Sequence, residues 1–306
     1  MILEKQSAEC LAQCLRRKDD QPQKRYPGYM STTVIKVTRR NWSREETMMA
    51  FALYMILEPR ECDDKGFDVQ RLAAAIHRTP NSVALKIWNI AAHDANRQAR
   101  GRVGMQHGSK LDVEIWEWYT AEGDEFLSQC LTLLHQALLS VDSSTMKSAP
   151  DRLSSVESAS QLLVSENPKG AERLTLTVQR VNQCYFRNSL MTNYSGRCCM
   201  TGITVPRLLI ASHIKPWAVS TPMEKTAASN GLLLNALHDR AFDQGFITLD
   251  DDYRIVVSHG AVRHTESNDK WLYALEEQRI HLPHANPPSH EFLEYHHKHV
   301  FLDSAA

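Results

Sequence analysis

Between Leu208 and Gly245 the order of apolar, turn-forming and polar residues leaves the backbone little choice. Leu208 to Ile210 is a short apolar run suited to a strand, and His213 falls where that strand gives way to a loop containing Pro216 and Pro222. Asn230-Gly231 turns the chain into a second apolar run, Leu232 to Leu234, and Ala236 to Gln244 reads as a short helix stopped by Gly245. Strand, loop, strand, helix is therefore expected in this one stretch. It places His213 at a strand end, Asn230 at a turn and His238 within the helix.

Composition bounds what surrounds this unit. At 306 residues the chain is long enough for two domains of ordinary size. No apolar run approaches the length of a bilayer span, and the start, Met1-Ile2-Leu3-Glu4-Lys5, lacks the apolar core of a secretory signal, so no membrane contact and a cytoplasmic location are expected. The seven cysteines are odd in number and lack a Cys-x-x-Cys pair, which reads as reduced thiols, with Cys198 and Cys199 as packing residues. A net charge of −1 argues against wholesale coating of nucleic acid and directs attention to local patches. One runs from Arg16 to Arg44, and a second comprises Arg97, Arg100, Arg102 and Lys110.

The division expected from composition is a residue 1–38 extension, a helical domain at 39–139, a serine-rich linker at 140–172 and the motif-bearing domain at 173–306. Met30-Ser31-Thr32 offers an alternative start, which would shorten the extension. In the helical domain Ser43 and Glu46 form a capping-box signature ahead of a helix that ends near Pro59. Val69 to Ile76 follows as a short helix, His77 to Pro80 as a turn, and Asn81 or Ser82 caps a third helix through Val83, Ile87, Trp88 and Ile90. Trp116, Trp118, Tyr119 and Phe126 belong to one or two further helices and read as core. Within the linker, Val156 to Val164 suits a short helix.

Helix, short helix, tight turn, helix is a helix-turn-helix order. Trp42 to Glu46, Leu72 to Ile76 and Arg78 to Val83 resemble Myb/SANT-type modules over some part of the domain. That resemblance implies a third helix in the DNA major groove, with Asn81, Lys86 and Asn89 as the positions facing bases or phosphates. The competing reading is a plain three-helix scaffold.

Three separated segments of the second domain carry a more specific likeness. Ala211-Ser212-His213-Ile214-Lys215-Pro216-Trp217, Asn230-Gly231-Leu232-Leu233-Leu234 and His238-Asp239-Arg240-Ala241-Phe242-Asp243-Gln244-Gly245 resemble, in order and spacing, the HNH endonuclease family. Arg180, Gln183, Phe186 and Arg187 upstream, the alternating hairpin from Phe246 to Val257, and Phe292 to His296 downstream extend the likeness to about residues 178–302. The fold implied is α+β: an N-terminal all-helical, helix-turn-helix-like domain and a C-terminal ββα-metal nuclease domain.

By that resemblance His213 is the general base, Asn230 the scaffold residue that ties the loop to the base, and His238 a ligand of a divalent metal. A neutral imidazole suits the first role because water is a poor nucleophile at neutral pH. A cation suits the scissile phosphate because charge gathers there and on the departing oxygen. Ser212 departs from the acid or second histidine that many relatives carry before the base; Asp243 or Asp239 could supply that oxygen, with Asp243 preferred. An oxygen-rich site suits Mg²⁺, while a histidine ligand also admits Mn²⁺, Ni²⁺ or Zn²⁺. Arg187, Lys215 and Arg240 have the charge and position for phosphate contacts. His296, His297 and His299 read as a polar helix face, with His296 a DNA or scaffold contact, and Trp217 as core.

The expected function is a metal-dependent DNA endonuclease of bacterial restriction or anti-phage defence, its N-terminal module recruiting DNA. The alternatives are a DNA-binding or regulatory protein with an inactive nuclease domain, and a nuclease gated by a protein partner of a defence complex.

Overall fold

The computed structural model describes residues 40–101, 108–141, 156 and 170–302. The N-terminal extension, most of the serine-rich stretch and the helix expected at Val156 to Val164, apart from Val156 itself, lie outside the described residues.

Helix α1 spans Arg44–Ile56 and starts where the sequence places it. The Ser43 hydroxyl accepts from the Glu46 N–H, and the Glu46 carboxylate accepts from the Ser43 N–H, so two otherwise orphan donors are satisfied reciprocally. Helices α2 (Phe67–Ala75) and α3 (Pro80–Ala91) follow, then the short α4 (Ala95–Gln98), α5 (Lys110–Glu122) and α6 (Asp124–Leu139). The cap of α3 is Thr79, whose hydroxyl accepts from the Ser82 N–H; Asn81 and Ser82, expected as caps, lie within the first turn. Pro80 explains the shift, because its fixed φ and missing N–H suit the first helical position.

These helices enclose a core centred on Phe51, which is fully buried and meets Trp116 edge-on at 5.1 Å between ring centres. Tyr119 and Phe126 complete the aromatic cluster, as expected of core residues.

Helix α7 (Gly170–Asn193) joins that core to a second one. Val178, Val181 and Tyr185 pack into the helical core, while Phe186, Leu190 and the following Tyr194 pack into the core beneath the small sheets. Strands β1 (Leu209–His213) and β2 (Gly231–Asn235) pair antiparallel, with His213 opposite Gly231 and Leu209 opposite Asn235. Gly231 is dictated by packing: a Cβ there would lie 2.5 Å from the Phe186 ring and 2.6 Å from Leu190. Its absence lets α7 lie directly on the sheet.

Helix α8 (Pro222–Thr226) occupies the loop between the strands, and α9 (Ala236–Asp243) follows β2 immediately. Gly245 ends α9 in the left-handed region at φ 73°, and a Cβ there would meet the Val300 carbonyl at 2.1 Å. A second hairpin, β3 (Ile247–Leu249) with β4 (Ile255–Val257), then α10 (Glu266–Trp271) and α11 (His290–His299) complete the described chain. No helix among the described residues is long and apolar enough to cross a membrane.

Candidate active site

His213 closes β1, and three contacts fix its ring. Its Nε2 lies 3.0 Å from the Lys225 carbonyl. A carbonyl can only accept, so Nε2 carries the proton and the lone pair is on Nδ1. The ring stacks on Phe186 at 3.8 Å between centres and 12° between planes, with Trp217 edge-on at 5.4 Å. Burial lowers the imidazole pKa below its usual 6.5, with the Lys225 carbonyl opposing the shift. The ring is therefore neutral at pH 7.

Asn230 holds the carbonyl that holds His213. Fully buried, its side-chain oxygen accepts from the Lys215 N–H at 2.8 Å, and its amide nitrogen donates to the Glu224 carbonyl at 3.0 Å. Longer bonds of 3.4 Å reach the Lys215 carbonyl and the Ser220 hydroxyl. Both ends of the β1–β2 loop are thus tied to one amide, and Glu224 immediately precedes Lys225.

His238 is placed differently. Buried on α9, its Nδ1 meets the Asn235 amide nitrogen at 2.7 Å and its Nε2 meets the Trp271 carbonyl at 3.0 Å. The Trp271 carbonyl can only accept and the Asn235 amide nitrogen can only donate, so Nε2 is the protonated nitrogen and the lone pair on Nδ1 is already engaged. Asn235 also caps α9, accepting from the Leu237 and His238 N–H groups.

Asp239 follows, and its carboxyl pKa is raised, chiefly by burial and further by the Asp243 charge, against a lowering hydrogen bond from Ser212 and the charge of Arg240. Ser212, the residue before His213, therefore reaches α9 through Asp239. Asp243 is exposed and pairs with Arg240 at 3.3 Å. Among the described residues no group of three or more His, Cys, Asp or Glu side chains gathers as a metal cluster.

Residues 198–250 match the family model of the HNH endonucleases. No curated protein matches the chain. The matched HNH segment runs from the buried Cys198-Cys199 pair through both strands, α9 and β3, so it contains the site residues described above except Phe186 on α7 and Trp271 on α10.

Several sequence expectations around the HNH segment are corrected by their surroundings. Arg187 spends its guanidinium on the Leu209 and Pro206 carbonyls, at 2.6 and 2.9 Å, and so anchors β1 to α7. Lys215 is paired with Glu224 at 2.8 Å. Lys86, expected to face DNA, is buried and ion-paired with Asp112, an acid on α5; its ammonium is withdrawn from any phosphate. Asn89, on the same helix, is half-buried. Arg240 remains largely exposed beside the site.

His296 belongs to the interior. It takes the Thr248 hydroxyl at 2.9 Å and the Phe242 carbonyl at 3.1 Å, stacks on the Phe242 ring at 3.8 Å, and burial pulls its pKa down to about 4. His297 and His299 keep the exposed positions expected of them. Sequence reading passed over Asn235 and the Lys225 carbonyl. An Asn directly before a helix is a recognisable cap signal, whereas a backbone carbonyl has no signature in sequence.

Proposed function

We propose that this chain is a DNA endonuclease whose HNH segment hydrolyses phosphodiester bonds, with His213 as general base. The observation that carries this reading is the state of His213: neutral, with one tautomer imposed by the Lys225 carbonyl and the ring immobilised by Phe186. In that state Nδ1 can take a proton from water as the oxygen attacks phosphorus. Asn230 is a positioning residue, since it fixes the loop segment that carries the Lys225 carbonyl.

HNH nucleases generally use a divalent metal, which when bound neutralises charge on the scissile phosphate and the departing 3′ oxygen. His238 does not fit that role as it stands, because both ring nitrogens are engaged. Asp239 and Asp243 fit better. They lie one turn apart on α9, the Asp243 charge raises the Asp239 pKa, and two carboxylates completed by water and phosphate oxygens suit Mg²⁺. Arg240 is the exposed cation placed to meet a DNA phosphate. A role in bacterial restriction or phage defence, with the helical part recruiting DNA or a protein partner, is the setting we propose.

Supercoiled plasmid incubated with Mg²⁺ or Mn²⁺ tests the reading. Nicked or linear product that disappears with chelator and in His213→Ala is expected; cutting that survives both overturns it.

A further inference from the structure

A cavity of about 510 Å³ lies between the helical core and the C-terminal half of α7, away from His213. Such a volume accommodates a small organic ligand. Its walls include Tyr54, Trp88 and Tyr185, and two arginines of the α4 segment, Arg97 and Arg100.

Those arginines are unusual in what they lack. Arg97 Nε, Arg100 Nε and Arg100 Nη1 are buried and have no hydrogen-bond partner among the described residues. Buried guanidinium N–H groups are costly unless paired, so three of them at one cavity mark a site shaped for an acceptor. Burial and the neighbouring Arg97 charge together lower the Arg100 pKa, as expected of two cations held close in a partly dry setting. One acid, Asp94, shares the wall, but its carboxylate accepts from the Tyr54 hydroxyl at 2.5 Å and from the Asn96 N–H at 2.8 Å. Cys62, also on the wall, is a neutral thiol, its pKa pushed up to about 12 by burial. Two guanidiniums against one carboxylate leave the lining positive.

We propose that this cavity binds a small phosphate-bearing ligand of the nucleotide class, its phosphate on Arg97 and Arg100 and its base against the aromatic wall. Arg97 lies over the Trp88 ring at 4.9 Å, and Trp88, Tyr54 and Tyr185 line the same cavity. Guanidiniums match phosphate oxygens geometrically, and aromatic faces match a purine or pyrimidine. The site also has a mechanical link to the HNH segment. Between the two arginines' segment and the β1–β2 loop, the Asn96 side chain accepts from the Ala228 N–H at 3.0 Å and donates to the Thr226 carbonyl at 3.1 Å and the Tyr185 hydroxyl at 2.9 Å. Ala228 is two residues from Asn230.

Calorimetry and thermal unfolding on the full chain test the proposal without reference to cleavage. Adenosine monophosphate is expected to bind and raise Tm, inorganic phosphate to bind at least ten-fold more weakly, and adenosine to show no heat. Arg100→Gln should lose at least ten-fold in affinity for the monophosphate while its ligand-free Tm stays level or rises, because two buried nitrogens without acceptors are removed; Arg100→Lys should fall between. A fall in ligand-free Tm for both variants with unchanged monophosphate affinity would make the arginines structural and overturn the proposal. Phosphate binding as tightly as the monophosphate would overturn the nucleotide assignment. No stabilisation of the wild-type chain by any of the three probes would overturn the site altogether.

Discussion

The two motif histidines, one half-buried at the end of β1 and one buried inside α9, are wired differently. His213 spends one nitrogen on a backbone carbonyl and keeps the other, whereas His238 spends both, on an amide and a carbonyl. Burial lowers both pKa values, so charge does not separate them. What separates them is hydrogen-bond capacity: an imidazole can act as base or ligand only through a nitrogen that the fold leaves unspent. The strand end gives His213 such a nitrogen, and the helix interior, next to its own cap, does not.

The largest expected effect breaks the comparison at its reactive end. His213→Ala should lower the cleavage rate by roughly 10²–10⁴-fold, the usual worth of general-base catalysis. An equal loss in His238→Ala at unchanged Tm would erase the distinction.

Next in size is a control in the helical core. Lys86→Ala leaves Asp112 buried without its partner and should cost about 3–5 kcal/mol in urea unfolding. Loss of duplex binding without loss of stability would restore Lys86 to the DNA surface.

His238→Ala should be felt mainly as stability. Removing its ring leaves one N–H of the Asn235 amide and the Trp271 carbonyl without a partner, a cost of about 1–3 kcal/mol per buried group, read in the same urea experiment. Asp239→Asn, by contrast, should shift the Mg²⁺ concentration for half-maximal cutting upward while leaving Tm level or higher. An unchanged Mg²⁺ requirement would remove Asp239 from the metal site.

A pH dependence is shared by both histidines and His296. Each has a folded pKa below the ordinary 6.5, so each is neutral in the folded chain where the unfolded chain takes up a proton. Their contribution to stability is present above pH 6.5 and is lost as pH falls towards about 4, the folded value for His296. Unfolding free energies measured across that window should decline with acid. His296→Gln should flatten the slope, and an unaltered slope would remove His296 as a source.

Much of the HNH segment is legible in the chain because its signals are local. Turn residues bracket two apolar runs, Asn235 caps a helix, and Gly245 stops it, so β1, β2 and α9 appear where periodicity puts them. The same holds for α1, whose capping box lies within four residues of sequence. The errors cluster where a side chain's role depends on a partner distant in sequence. Lys86 reads as a surface cation until Asp112 is brought against it, and Arg187 reads as a phosphate contact until the Leu209 and Pro206 carbonyls take its N–H groups.

The sequence alone therefore determined the order of strand, loop, strand and helix, the placing of His213 at a strand end and the identity of the family segment, because backbone preference and spacing are properties of neighbours. Only the tertiary structure decided which histidine nitrogens stay unspent, which cations are neutralised and where three buried guanidinium nitrogens of Arg97 and Arg100 are left without acceptors. Those outcomes depend on α7 passing from one core into the other and on the loop that Asn230 gathers, contacts between groups that the chain holds far apart.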